Sequence, residues 1–247
     1  MANSDFIYGK NPVIEALERG EAFEKILVAK GSPLYQEVRK AVGAQRIFIQ
    51  SVPEEKLNRI TRKNHQGLIG YKAFITYHDL DNILAQTYEK GETPLFIALD
   101  GVTDVGNMGA IARSAFCFGA HGIIVPEKGS ALINAVAVKA SAGAIQQINF
   151  AKVVHLKDNL TSLQTAGIQV IAATMSKQSK RPQDIDFSLP TCIVMGNEEK
   201  GVGPNICALA DHEVNIPMSR KFDSLNVSVA TGILLYEANS QRTIQGG

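Results

Sequence analysis

The chain is poor in cysteine. Its three cysteines, Cys117, Cys192 and Cys207, lie far apart among apolar neighbours, and no pair is spaced CxxC. An odd, scattered set argues against a disulfide framework, and three buried free thiols are expected. The five histidines (65, 78, 121, 155 and 212) contain no HExxH or comparable ligand spacing, so no metal is expected. Long hydrophobic runs are missing too. The longest apolar stretches are strand-sized, far short of the ~20 residues that span a bilayer, and no membrane partner is expected. Residues 1–11 are polar and mixed, without a basic segment leading into an apolar core. No signal peptide is read there, and a cytoplasmic location is the expectation. Tandem repeats and low-complexity tracts are also absent.

Net charge is only +1, but it is unevenly divided. Residues 1–75 carry 12 Lys and Arg against 8 Asp and Glu, a net of +4, while the remainder carries 13 against 16, a net of −3. A modestly basic N-terminal part suits RNA phosphates. Ordinary solvated charge explains the asymmetry about as well.

What is present is ordinary globular material: 45% hydrophobic and 20% charged residues over 247 positions, enough for a real core. That length accommodates one large domain, or a small one plus a medium one. Residues 1–75 alternate helical and strand patterns. A helix over 13–19 is expected, with Asn11 as its cap and Pro12 in its first position. Strands are expected over 25–29, 46–50 and 68–75, and helices over 34–42 and 53–61. Residues 76–94 read as a linking helix and turn. From 95 to 247 the pattern becomes rhythmic, strands alternating with helices, which implies a parallel sheet covered on both faces. The apolar run Leu95–Leu99 suits a buried parallel strand.

In open parallel sheets, ligands sit outside the carboxyl ends of the strands. Three loops after strands are rich in polar and charged residues, the first two in Gly as well. The first, DGVTDVGNMGAIAR, runs from Asp100 to Arg113 and opens a helix carrying Asn107 and Arg113 six positions apart. Either Asn107 caps that helix and Arg113 is a surface charge, or both meet one ligand. The second, GNEEKGVGP from Gly196, is neither a Walker loop nor GxGxxG. A flexible strand-to-helix connection explains it equally. The third runs from Ile216 to Ala230 and puts Ser224, Asn226 and Ser228 at a helix start, where a simple cap needs only one such side chain.

Together these segments resemble the three signature motifs of the SpoU/TrmH branch of the SPOUT RNA methyltransferases: NMGAIAR, IVMGNEEKG, and IPM followed by SLNVSVA. IYGKNPVIEAL and HQGLIGY resemble the opening and closing of the small substrate-binding domain of that family's ribosomal members. The resemblance covers nearly the whole chain and is strongest to the 23S rRNA guanosine 2′-O-methyltransferase subgroup. It implies a small N-terminal L30e-like α/β domain that binds RNA. It also implies a SPOUT α/β domain with a parallel sheet and a deep trefoil knot. The expected activity is S-adenosylmethionine-dependent, metal-free transfer to a ribose of ribosomal RNA by a homodimer, with each site completed by the other subunit. Thr174, Gly196, Asn197, Gly201, Ile216, Met218 and Leu225 are expected around the cofactor. The catalytic set is Arg113, Asn107, Glu198, Ser224 and Asn226. Arg113 would grip a phosphate, and Ser224 with Asn226 would bond Arg113 or substrate. Lys10, Arg62, Lys63 and His65 are the expected RNA contacts.

Three rivals remain at this point. A nicotinamide oxidoreductase needs a GxGxxG order that DGVTDVGNMG does not provide. A non-catalytic ribosome-assembly factor would have no use for the intact signature residues. A tRNA substrate is the serious competitor within the family.

Overall fold

The computed structural model describes residues 6–43, 47–176, 178–219 and 224–245. The chain divides into two units. One runs through Thr76 with Ile133–Ala135 added; the other comprises Tyr77–Leu132 and the chain from Val136 on.

The first unit contains β1 (Phe6–Tyr8), α1 (Lys10–Glu18), β2 (Phe23–Ala29), α2 (Leu34–Val42), β3 (Phe48–Val52), α3 (Glu54–Ile60) and β4 (Leu68–Lys72). The sheet order is β1-β4-β2-β3, with β4 antiparallel to β1 and β2, and β3 parallel to β2. Strand alternation splits the apolar residues between two faces. Val13, Ala16 and Leu17 of α1 lie one helical turn apart and join Val38, Val42, Ile26, Val28 and Leu68 on one face. Leu27, Val52 and Ile69 meet Leu57 of α3 on the other. The expected Asn11 cap is corrected. Helix α1 begins at Lys10 after Gly9, whose φ of 96° only glycine adopts readily. Pro12 then sits within the first turn, where its missing N–H removes no helical bond. Strand β3 lies two residues beyond the expected one.

The second unit contains β5 (Tyr77–His78), α4 (Leu80–Glu89), β6 (Leu95–Asp100), α5 (Val105–Cys117), β7 (Gly122–Pro126), α6 (Ala135–Ala140), β8 (Asn149–Val153), α7 (Leu156–Thr165), β9 (Gln169–Ala173), β10 (Thr191–Gly196), α8 (Pro204–Cys207), β11 (His212–Val214) and α9 (Val227–Gln245). Its seven strands are all parallel, in the order β11-β9-β10-β6-β7-β8-β5. Strands β6 and β10 are buried along nearly their whole length, as unbroken apolar runs in a sheet covered on both faces must be. From β6 the chain steps outward through β7 and β8. It then returns to lay β9 and β10 on the opposite side of β6. That reversal gathers the loops after β6, β9, β10 and β11 at one edge.

Two contacts fix the helices around that edge. A Cβ on Gly109 of α5 would lie 2.6 Å from the Ala137 carbonyl oxygen and 2.7 Å from the Ala140 Cβ, so α5 approaches α6 only because this residue is glycine. Near the end of α9, the Arg242 guanidinium donates to the carbonyl oxygens of Phe187, Pro94 and Leu189 at 2.9, 2.9 and 3.0 Å, and of Thr93 at 2.6 Å. Burial lowers its pKa to about 10, which leaves it charged at neutral pH.

Candidate active site

Strand β10 ends at Gly196, and its loop turns back at once. A Cβ on Gly196 would stand 2.1 Å from the Gly201 carbonyl carbon and from the Val202 nitrogen, so no other residue fits. Asn197 and Gly201 close the loop with paired backbone bonds of 3.1 and 2.8 Å. The Asn197 side chain holds it from inside. Its Oδ1 accepts from the Glu199 and Lys200 N–H groups at 2.8 and 3.3 Å, and its Nδ2 donates to the Gly101 carbonyl at 2.8 Å. Asp100, at the end of β6, accepts from Gly203 N–H at 2.8 Å. The loop is therefore braced and tied to the neighbouring strand.

This loop forms one wall of a cavity of about 700 Å³ at the carboxyl edge of the sheet. Thr174, Gly196, Asn197, Gly201, Ile216, Met218 and Leu225 all line it, as do Glu198 and Ser224. The sequence reading passed over Glu213, which also lines it and accepts from the Thr174 hydroxyl at 2.6 Å. Nothing in the local pattern around Glu213 distinguishes it from a surface carboxylate at a strand's end. Cys207 lines the cavity as well; burial first, then the charges of Glu213 and Asp100, raise its pKa and keep it a thiol.

At the rim, Asn107 in the first turn of α5, Glu198 in the loop after β10 and Asn226 just before α9 meet. Asn107 and Asn226 both donate to Glu198 Oε1, the latter at 3.3 Å, and Asn226 Nδ2 also donates to Asn107 Oδ1 at 3.0 Å. Asn226 serves as the cap of α9 at the same time, its Oδ1 accepting from Ser228 and Val229 N–H at 2.9 and 3.4 Å. Asn107 is not a cap. Asp104 caps α5 by accepting from Asn107 N–H at 2.7 Å, which frees the Asn107 amide for the rim.

Arg113 lies farther along α5, exposed, and makes no hydrogen bond or ion pair with the described residues. Asn226 bonds Asn107 and Glu198 rather than Arg113, and Ser224 is exposed on the cavity wall without a bond to Arg113. The basic stretch 220–223 between Ser219 and Ser224 lies outside the described residues.

The four expected RNA contacts lie in the first unit. Arg62 and Lys63 are exposed. Lys10 pairs with Glu37 at 3.0 Å. His65 is corrected: it is 5% exposed, bonds Asn58 at 2.9 Å through Nε2, and accepts from Gly67 N–H at 3.0 Å. It shapes the loop from within rather than meeting phosphate. The cysteines also need correction. Only Cys192 is fully buried, its pKa pushed up to about 12, while Cys117 is exposed on α5. Helical periodicity places Cys117 beside apolar neighbours but does not show that this face is uncovered.

Comparison with known proteins bears on both units. The profile of the SpoU rRNA Methylase family matches residues 94–236, and that of the RNA 2′-O ribose methyltransferase substrate-binding domain matches residues 6–77. YacO of Bacillus subtilis (strain 168), which carries the name of the TrmH family of tRNA/rRNA methyltransferases, is 35% identical over 98% of this chain and 98% of its own. The AdoMet-bound rRNA methyltransferase from Sinorhizobium meliloti superposes with a TM-score of 0.60, at 29% identity over 95% of this chain and 86% of that one. The TrmH/SpoU tRNA modifying enzyme of A. aeolicus gives a TM-score of 0.58 at 34% identity, over 68% of this chain and 86% of that one. The chain belongs to the SpoU rRNA methylase family.

Proposed function

We propose that this protein transfers a methyl group from S-adenosylmethionine to a guanosine ribose 2′-hydroxyl of 23S rRNA. The observation that carries the reading is the cavity at the carboxyl edge of the sheet, with the Asn107–Glu198–Asn226 network at its rim. The cavity has the size of a small-molecule site. Its apolar wall of Val214, Ile216, Leu225 and Leu234 suits an adenine ring, and Thr174, Asn197 and Glu213 supply hydrogen-bonding groups. The carboxylates of Glu198, Glu199 and Glu213 suit a cationic ligand. When bound, S-adenosylmethionine supplies a methyl group activated by its sulfonium.

The chain's own residues do the rest. Asn107, Glu198 and Asn226 tie the start of α5, the loop after β10 and the start of α9 together, so that the rim keeps its shape when RNA arrives. Arg113 holds the phosphate beside the target ribose and stabilises the negative charge that builds on the 2′-oxygen as its proton passes to water. It does not act as the base, because a guanidinium stays protonated in proteins. Ser224 orients the substrate from the cavity wall. Arg62 and Lys63 contact RNA phosphates, and their double alanine variant should lower the slope of log affinity against log salt by roughly 1–2 units. An unchanged slope would remove them from the interface.

The protein works as a homodimer. Val229, Ile233 and Tyr236 of α9, with Phe116 of α5, form an apolar face between 38% and 60% exposed. A second copy of the chain covering this face would bring Arg113, on the same helix as Phe116, beside a partner's site. Sedimentation of Ile233→Glu as a monomer is the expected check, and a wild-type monomer would exclude it. The reading also includes the trefoil path. Stretching one molecule from both termini should stop short of the contour length of an unknotted chain.

The substrate assignment is tested by offering unmodified 23S rRNA, 16S rRNA and bulk tRNA with methyl-labelled cofactor. Label should enter 23S rRNA alone. Label in tRNA would transfer the assignment to the second reading, a tRNA ribose methyltransferase. That reading has support in the A. aeolicus tRNA modifying enzyme, although the match leaves about a third of this chain uncovered. Cofactor binding without label in any of these RNAs would point to a ribosomal assembly intermediate as the substrate, whereas no cofactor binding at all would leave a non-catalytic RNA-binding protein of ribosome assembly.

A further inference from the structure

The first unit has a sheet with two faces and unequal cover. Helices α1 and α2 lie on one face. Among the described residues, the only helix of this unit on the other face is α3, seven residues long. Such a helix spans about 10 Å, whereas four strands spread over roughly 15 Å or more. Beyond α3, partly buried aromatic side chains line this face. Phe6 stands opposite Tyr71, and Lys25 stands opposite Tyr71 on its other side, so a Lys–Tyr–Phe row crosses β2, β4 and β1. Tyr8 follows on the same face of β1. The Phe6 ring centroid is 5.9 Å from that of Tyr71 and 6.2 Å from that of Tyr8. All three rings are half-buried. Lysines stand over the outer two: Lys25 Nζ is 5.4 Å from the Tyr71 ring centre and Lys63 Nζ is 5.8 Å from that of Tyr8. The hydroxyl of Tyr71 has its pKa raised by burial, so the ring brings no negative charge.

We infer that Phe6, Tyr8 and Tyr71 form a stacking platform for unpaired bases of the RNA substrate, with Lys25 and Lys63 taking the phosphates that flank them. Aromatic faces on a β-sheet accept bases of any sequence, because every base has a π-face. Cations at the edges select a polyanion over an apolar protein segment. A duplex cannot use the platform, since its bases are already stacked. The platform therefore takes single-stranded nucleotides, and the inference rests on the protein acting on RNA.

The test uses the intact protein and a fluorescein-labelled 12-nucleotide RNA, single-stranded or annealed to its complement, read by anisotropy. Replacing one stacking ring costs on the order of 5- to 100-fold in single-strand affinity. Tyr71→Leu and Phe6→Leu should each fall in that range, Tyr71→Phe should match wild type within about twofold, and duplex binding should not change. Single-strand binding unchanged in both leucine variants, or lost equally in Tyr71→Phe, would overturn the platform. Wild-type protein irradiated with a 5-iodouridine version of the same RNA provides a check that needs no variant. Adducts are expected on Phe6, Tyr8 or Tyr71, and adducts only elsewhere would overturn it. Methyl transfer to 23S rRNA, measured in parallel, separates the two claims. Transfer without ring-dependent binding removes the platform alone, and ring-dependent binding without transfer removes the 23S rRNA assignment alone.

Discussion

Asn226 donates to the Asn107 side-chain oxygen at 3.0 Å across 119 positions of chain, and the same Asn226 caps helix α9. One side chain therefore couples the start of a long helix to the rim of the cavity. Its two tasks separate by substitution. Asn226→Ser keeps a capping oxygen and should hold stability within about 0.5 kcal/mol, whereas Asn226→Ala should lose about 1 kcal/mol. Both remove the bonds to Asn107 and Glu198, and both should lower kcat at least tenfold. Denaturant titration alongside methyl transfer checks this, and full activity in the serine variant would show that the network is dispensable.

Each of the three loops follows a strand and is rich in polar or charged residues, but composition leaves each a plain structural explanation, and only the family resemblance makes them one site. No local pattern reveals that Glu198 and Asn226 converge on Asn107, because the convergence depends on the chain returning from β8 to lay β10 against β6. The role of Asn107 is ambiguous in the sequence for the same reason; in the structure Asp104 takes the cap. Strand β1 was passed over because three residues, FIY, are too few to show alternation. Glu213 and Arg242 carried no local signal, since their partners lie on distant segments.

Gly196→Ala should disable the cavity while sparing the fold. The added Cβ has no room beside Gly201, so the loop must open. S-adenosylmethionine affinity by calorimetry should fall at least tenfold, with a far-ultraviolet circular dichroism spectrum like that of wild type. Undiminished affinity would exclude this loop as the cofactor wall.

Arg242 is a stability residue remote from the chemistry. Arg242→Met strips a hydrogen-bond donor from four carbonyl oxygens. The loss should be about 2–3 kcal/mol, read as a lower urea midpoint at unchanged slope. A midpoint equal to wild type would mean that water satisfies those carbonyls.

His121 should make stability depend on pH. Burial lowers its pKa, against the pull of Glu92 at 3.1 Å. Its Nδ1 is occupied in accepting from Leu95 N–H at 3.0 Å, so a second proton breaks that bond. With the folded pKa below the unfolded value of about 6.5, the unfolded chain takes up the proton first as pH falls. The contribution is complete above about pH 6.5 and is lost on acidification through the interval between the two pKa values. The difference in Tm between wild type and His121→Gln should therefore shrink from pH 7.5 to 5.5. A constant difference would contradict the assignment.

The central claim is that Arg113, exposed and without a partner among the described residues, serves a ribose methylation carried out at this cavity. The most direct test is labelled methyl transfer to 23S rRNA by wild type and Arg113→Ala, followed by alkaline hydrolysis and separate measurement of cofactor affinity. Wild type should leave the label in alkali-resistant dinucleotides, the mark of a methylated 2′-oxygen. Arg113→Ala should lose at least 100-fold in rate, the scale of removing one oxyanion-stabilising donor, while binding S-adenosylmethionine within about twofold of wild type. Label that appears in mononucleotides after hydrolysis, or wild-type turnover by Arg113→Ala, would contradict the account.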